Sequence, residues 1–220
     1  MNTLLRKLYI DKREFVTSEE LEGYCRSLKL SYDSTLRSSM AGGYLVRIFR
    51  GIFYVRTLDE VKLNKTRHNP LELVAKAMEI KGIESWYFGL HTALKLNNMT
   101  HEYFATDCVM NDRISRPKAI GIAGNSFRFV KMSPPLLSFG TISDVLRYSD
   151  PEKTILDFAY IWRYNGVPRE KILADITDWA RGLSRKKLKT YGARYPSSVR
   201  SIAEEVSLLE GTSSTRSAGC

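Results

Sequence analysis

Six residues, Asp107, Asp112, Asp150, Glu152, Lys153 and Asp157, are of the types that handle phosphate esters with a metal. Paired carboxylates beside a lysine can hold Mg²⁺ against a phosphodiester, so a metal-dependent nuclease is the one reaction the sequence suggests. Local spacing offers a simpler account. Asp150-Pro151-Glu152 is how a helix begins, with Asp150 capping it and Glu152 facing the positive end of its dipole. On that account there is no catalytic residue, and the chain is not expected to be an enzyme. His68, His91 and His101 are not spaced as ligands, and His91 falls within an apolar helical pattern, so no metal is expected. The loop around Gly121, Gly124 and Asn125 lacks both a lysine-serine ending and a strand-to-helix context. It reads as a hairpin turn, and no cofactor is expected. Cys25, Cys108 and Cys220 are odd in number, widely spaced and form no CxxC pair, which supports neither a disulfide framework nor a zinc site and leaves buried or incidental thiols as the expectation.

Cations are the second chemistry. The 220 residues carry a formal net charge of +10, with pI ≈ 9.5, and this favours an anionic partner, nucleic acid first. Charge is informative only where elements present it. At the N-terminus, Asn2 to Lys12 has leucines at helical spacing. Thr17-Ser18-Glu19-Glu20 is a capping box for a second helix with Leu21, Tyr24, Cys25 and Leu28 inward. Ser31 caps a third helix over Tyr32–Ala41, with Leu36 and Met40 inward, and Gly42-Gly43 stops it. Two β-rich runs, Tyr44–Phe49 and Ile52–Val55, flank Arg50-Gly51 as a hairpin. Three helices followed by a hairpin is the order of a winged helix-turn-helix.

In that fold the third helix enters the major groove of duplex DNA. Its expected outward face carries Tyr32, Ser34, Thr35, Arg37, Ser38 and Ser39. Arg37 is the candidate for a base contact, because a guanidinium pairs with two acceptors on guanine. Arg50 at the hairpin tip, Arg47 and Arg56 on its arms, and Lys29 between helices suit phosphates. A second basic stretch, Arg181, Arg185, Lys186, Lys187, Lys189, Arg194 and Arg200, has no acidic residue within it. It would extend the footprint, meet an acidic partner, or simply be a solvated helix face.

The expected fold class is α+β. Residues 1–57 form the DNA-binding domain, 58–69 a linker, 70–210 a domain of helices on a small, mostly antiparallel sheet, and 211–220 a disordered tail. Within the second domain, Pro70 opens a helix capped by Asn69, Ser85 to Leu96 continues as a helix, and short strands occupy Tyr103 to Tyr148. Helices return from Asp150 to Asn165, near Arg169 to Ala180, Ser184 to Tyr191 and Ser197 to Leu209. No stretch has the apolar length of a membrane span and none reads as a signal peptide, so the expected location is the cytoplasm.

The winged-helix start, the segment Trp86-Tyr87-Phe88-Gly89-Leu90-His91-Thr92-Ala93-Leu94 and the segment Tyr148-Ser149-Asp150-Pro151-Glu152-Lys153-Thr154-Ile155-Leu156-Asp157 together resemble the AbiEi family of antitoxins. Arg50-Gly51-Ile52-Phe53-Tyr54 matches the family's "Arg-Gly-hydrophobic-Tyr" hairpin. The resemblance spans Phe15 to Leu209 and departs at Thr92, where members more often carry serine. It implies an antitoxin of a type IV toxin-antitoxin operon. The winged helix would repress its own promoter at inverted repeats, and the domain from Pro70 would counter a nucleotidyltransferase-like toxin.

Overall fold

The computed structural model describes residues 3–213, with side chains described as far as Leu208. The fold is α+β and divides into two compact units. One comprises Met1–Glu84 with Gly121–Asn125, the other Ser85–Ile120 with Ser126–Cys220.

The first unit opens with helix α1 (Thr3–Ile10), strand β1 (Phe15–Thr17) and helix α2 (Ser18–Ser27). The Thr17 hydroxyl accepts from the Glu20 amide while Glu20 returns a bond to the Thr17 amide, so the expected capping box fixes where α2 starts. Helix α3 (Tyr32–Ala41) and strands β2 (Leu45–Phe49) and β3 (Ile52–Val55) follow. β3 lies between β1 and β2 in an antiparallel sheet. The strand at Phe15–Thr17 escapes a periodicity reading because three residues carry no period. It exists because Val16 is buried beside its cross-strand partner Phe53. Leu4, Leu5, Leu8, Leu21, Cys25, Leu45, Phe53 and Val55 join Val16 in one core.

Two boundaries differ from expectation here. Residues 58–69 are not only a linker. Thr57 and Glu60 form a second capping box, which starts helix α4 (Leu58–Lys62). Helix α5 (Pro70–Ile80), capped by Asn69 as expected, packs on β2 and β3 and belongs to the first unit. The polar composition that suggests a linker instead serves Glu60. This buried carboxylate accepts from the Tyr54 hydroxyl (2.6 Å), the Thr57 amide (2.8 Å) and the Arg67 amide (2.6 Å).

In the second unit, strand β4 (Trp86–Gly89) runs directly into helix α6 (Leu90–Leu96). The expected single helix over Ser85 to Leu96 is therefore corrected: its first turn is extended and fully buried. Strands β5 (Thr106–Asn111), β6 (Ile120–Ile122), β7 (Asn125–Lys131), β8 (Thr141–Ser143) and β9 (Arg147–Ser149) complete a sheet of order β6-β7-β5-β4-β9-β8. The sheet is mixed, and β8 pairs antiparallel with β9 at one edge. β4 pairs antiparallel with β5 but parallel with β9, and β5 pairs parallel with β7. Non-local parallel partners leave no mark in local patterning.

Four helices follow, α7 (Pro151–Tyr164), α8 (Arg169–Thr177), α9 (Arg185–Gly192) and α10 (Ser197–Ser213). Asp150 caps α7 by accepting from the Lys153 amide (2.9 Å). Leu156, Phe158, Ile172, Ile176, Leu188, Val199 and Ile202 form this unit's core together with Tyr87, Leu94 and Met110. The expected disordered tail is helical to Ser213, and residues 214–220 lie outside the described residues.

Candidate nucleic-acid interface

Helix α3 turns two faces to two environments. Thr35 and Ser39 are buried, so the expectation that both lie outward is corrected: residues four apart share a helix face, and this face meets the protein. Tyr32, Leu36 and Met40 pack in part against the N-terminal core. What remains outward is Asp33, Ser34, Arg37 and Ser38. The Arg37 Nε donates to the Asp33 carbonyl (3.3 Å), and no ion pair engages its two terminal nitrogens among the described residues. Ser34 donates to the Ser31 carbonyl (3.3 Å) and Ser38 to the Thr35 carbonyl (3.0 Å). With their protons committed to backbone, both hydroxyls present lone pairs, which suit an amino group of adenine or cytosine better than a phosphate.

The hairpin cations are held differently. Arg47 is exposed on β2; its Nη2 lies 3.8 Å from the Met40 sulfur of α3 and its guanidinium 5.5 Å from the Phe53 ring centroid. Arg50 is exposed at the tip, where Gly51 adopts φ +81° and accepts from the Ser18 amide (2.9 Å). That bond ties the turn to the start of α2, and the left-handed φ is one glycine adopts without a Cβ penalty. Lys29 is exposed just after α2. Arg56 is half-buried, with Nη1 on Asn64 (3.3 Å) and Nε buried without a partner. It belongs more to the base of the hairpin than to its outer surface.

The second basic stretch is partly spoken for. Lys187 reaches Asp150 (3.3 Å) and Glu152 (3.4 Å), and Arg181 pairs with Asp178 (3.2 Å). Arg185, Lys186 and Lys189 are exposed and make no ion pair among the described residues. The Asp150 and Glu152 carboxylates thus join the start of α7 to α9, since Glu152 also accepts from the Ser184 amide (2.9 Å) and Asp150 from the Tyr191 hydroxyl (3.0 Å).

Of the carboxylates considered for nuclease chemistry, Asp107, Asp150, Glu152 and Asp157 are buried and Asp112 is half-buried. Lys153 and Asp157 have no exposed surface and lie 3.2 Å apart. Asp157 accepts from Tyr87 and Tyr195 (2.7 Å each), while the Lys153 ammonium also donates to the Leu136 carbonyl (2.6 Å) and lies over the Phe139 ring. Burial lowers the Lys153 pKa and the Asp157 charge opposes that shift; burial also raises Tyr87 and Tyr195, helped by the same carboxylate. Asp107 bonds Thr92 (3.1 Å), whose hydroxyl in turn accepts from the Cys108 amide (2.8 Å), so the position that departs from the antitoxin pattern is a buried bridge between α6 and β5. Burial pushes the Cys108 thiol up to about 12. Among the described residues no group of three or more His, Cys, Asp or Glu is placed to hold a metal ion. No helix among them is long and apolar enough to cross a membrane.

No protein-family model matches the chain, and no curated protein matches it. A solved structure, the RV2827C protein from Mycobacterium tuberculosis, is similar in fold, with a TM-score of 0.58 over 94% of this chain and 76% of that one, at 14% identity.

Proposed function

We propose that this protein binds duplex DNA through the outward face of α3 and the β2–β3 hairpin, as a winged-helix autorepressor. The observation that carries the reading is Arg37, whose Nε rests on the Asp33 carbonyl and whose terminal nitrogens, on the exposed side of the helix, engage no ion pair among the described residues. A guanidinium held by one edge keeps the two-donor fork that matches guanine. Element order and sheet order in the first unit agree with the winged-helix reading, and Arg47 beside Met40 sets a hairpin cation next to α3. The AbiEi resemblance extends the proposal to an antitoxin opposing a nucleotidyltransferase-like toxin, acting in the cytoplasm.

The test is binding of the purified protein to its own upstream duplex and to a scrambled duplex across a salt series, with Mg²⁺ present. Preference for its own sequence with the DNA left intact supports the repressor. Equal affinity for both, or cut DNA, overturns it. Co-expression with a nucleotidyltransferase-like toxin then tests the antitoxin role, which fails if growth is not restored.

A further inference from the structure

The second unit carries two cavities that share one arginine. The larger, about 650 Å³, is lined by Arg116, Arg128, Tyr160, Tyr164 and Asn165; the smaller, about 370 Å³, by Arg128, His91, Tyr103 and Phe104. No carboxylate lines either one, and neither arginine makes an ion pair among the described residues. Each cavity has a tyrosine almost wholly in solvent, Tyr164 at 82% exposure and Tyr103 at 87%. An aromatic ring left this exposed contributes little to the core, yet its face is available to a planar partner. The larger volume falls within the range of small-molecule sites, enough for one nucleotide.

We propose that this surface binds single-stranded nucleic acid, with a phosphate at Arg128 and the bases on either side of it stacked on Tyr103 and Tyr164. A cation between two aromatic platforms is what a flexible strand requires, because its backbone is anionic and every base has a stacking face. A duplex has its bases paired inward and offers none to these rings. The surface uses no residue of α3 or of the hairpin, so it stands or falls independently of the repressor reading. Arg116 supplies a second phosphate contact beside Tyr164.

The test uses the full chain and fluorescence anisotropy with labelled twelve-nucleotide single strands, an abasic strand of equal charge, and a duplex. Tyr103→Ala, Tyr164→Ala and Arg128→Ala alter exposed side chains, and unchanged melting temperatures confirm their folding. Each tyrosine variant is expected to weaken binding of the base-bearing strand by roughly 5- to 140-fold, the range of one stacked base, and to leave the abasic strand unaffected. Arg128→Ala is expected to weaken both strands and lower the salt slope by about 0.7. Arg37→Ala is expected to leave single-strand binding unchanged. The proposal is overturned if the base-bearing strand binds no better than the abasic one. It is equally overturned if the three variants bind like the parent, or if Arg37→Ala removes single-strand binding.

Discussion

At the scale of single residues, the same charged side-chain types play opposite roles according to what surrounds them. Arg37 is exposed and engages no ion pair among the described residues, whereas Lys153 is sealed among Asp157, Tyr195 and the Leu136 carbonyl. Arg37→Ala is expected to cost about 1–3 kcal/mol at a cognate site and to relax specificity there, while Arg50→Ala weakens all sequences alike and reduces the salt slope by about one. Anisotropy with cognate and scrambled duplexes distinguishes them, and equal losses on both duplexes for Arg37→Ala would remove its base-reading role. In the buried cluster, Asp157→Ala strands an ammonium and two hydroxyls. Its expected cost is about 3–5 kcal/mol in denaturant unfolding, as for other broken buried pairs. A loss under about 1 kcal/mol would mean that water replaces the carboxylate.

At the scale of elements, ends and turns decide more than propensities do. The capping boxes at Thr17, Thr57 and Asn69 each satisfy helix-end amides reciprocally, and Thr57→Ala is expected to cost about 1 kcal/mol. Glu60→Ala should cost more than Thr57→Ala, because Glu60 also serves the Tyr54 hydroxyl and the Arg67 amide; equal losses in urea melts would show those two bonds to be dispensable. The β4–α6 junction rests on Gly89. A Cβ there would sit 2.4 Å from the Met110 side chain, and Leu90 beside it takes φ +51°. Gly89→Ala is expected to destabilise by roughly 1–3 kcal/mol through overpacking, read by thermal unfolding, and an unchanged midpoint would show that Met110 can move aside. The apolar spacing of Trp86, Leu90, Ala93 and Leu94 fits a helix throughout, so it cannot report that the chain turns at this glycine.

At the scale of the whole molecule, stability should decline as the solution becomes acidic. Burial lowers the His91 pKa, so the unfolded chain takes up this proton first, and its contribution is present above about 6.5 and lost as pH falls from there. Burial raises Glu14 and Glu60, but hydrogen bonds from Arg67 and His68 to the first, and from Tyr54, Thr57 and Arg67 to the second, outweigh it and leave both lowered. Their stabilisation is present above the ordinary glutamate range and is lost below it, as the folded state's carboxylates are protonated. Urea unfolding at a series of pH values between 7 and 3 should therefore show a first decline near 6.5 and a steeper one below about 4.5. A flat profile would mean that these groups keep the same environment after unfolding.

The sequence by itself determined the local events: the helices opened by Thr17, Asn69 and Asp150, the hairpin at Arg50-Gly51, and the excess of cations. These depend on neighbours within a few residues, where spacing and side-chain chemistry act directly. Tertiary structure alone decided the parallel pairing of β4 with β9, the change from strand to helix at Gly89, and the assignment of α5 to the first unit. It also turned Thr35 and Ser39 inward, engaged Lys187 with two carboxylates, and brought Tyr103 and Tyr164 to cavities that share Arg128. Each of those outcomes depends on residues distant in the chain meeting in space. Burial, cavity shape and the partner of a charge are properties of that meeting, and no short window of sequence contains them.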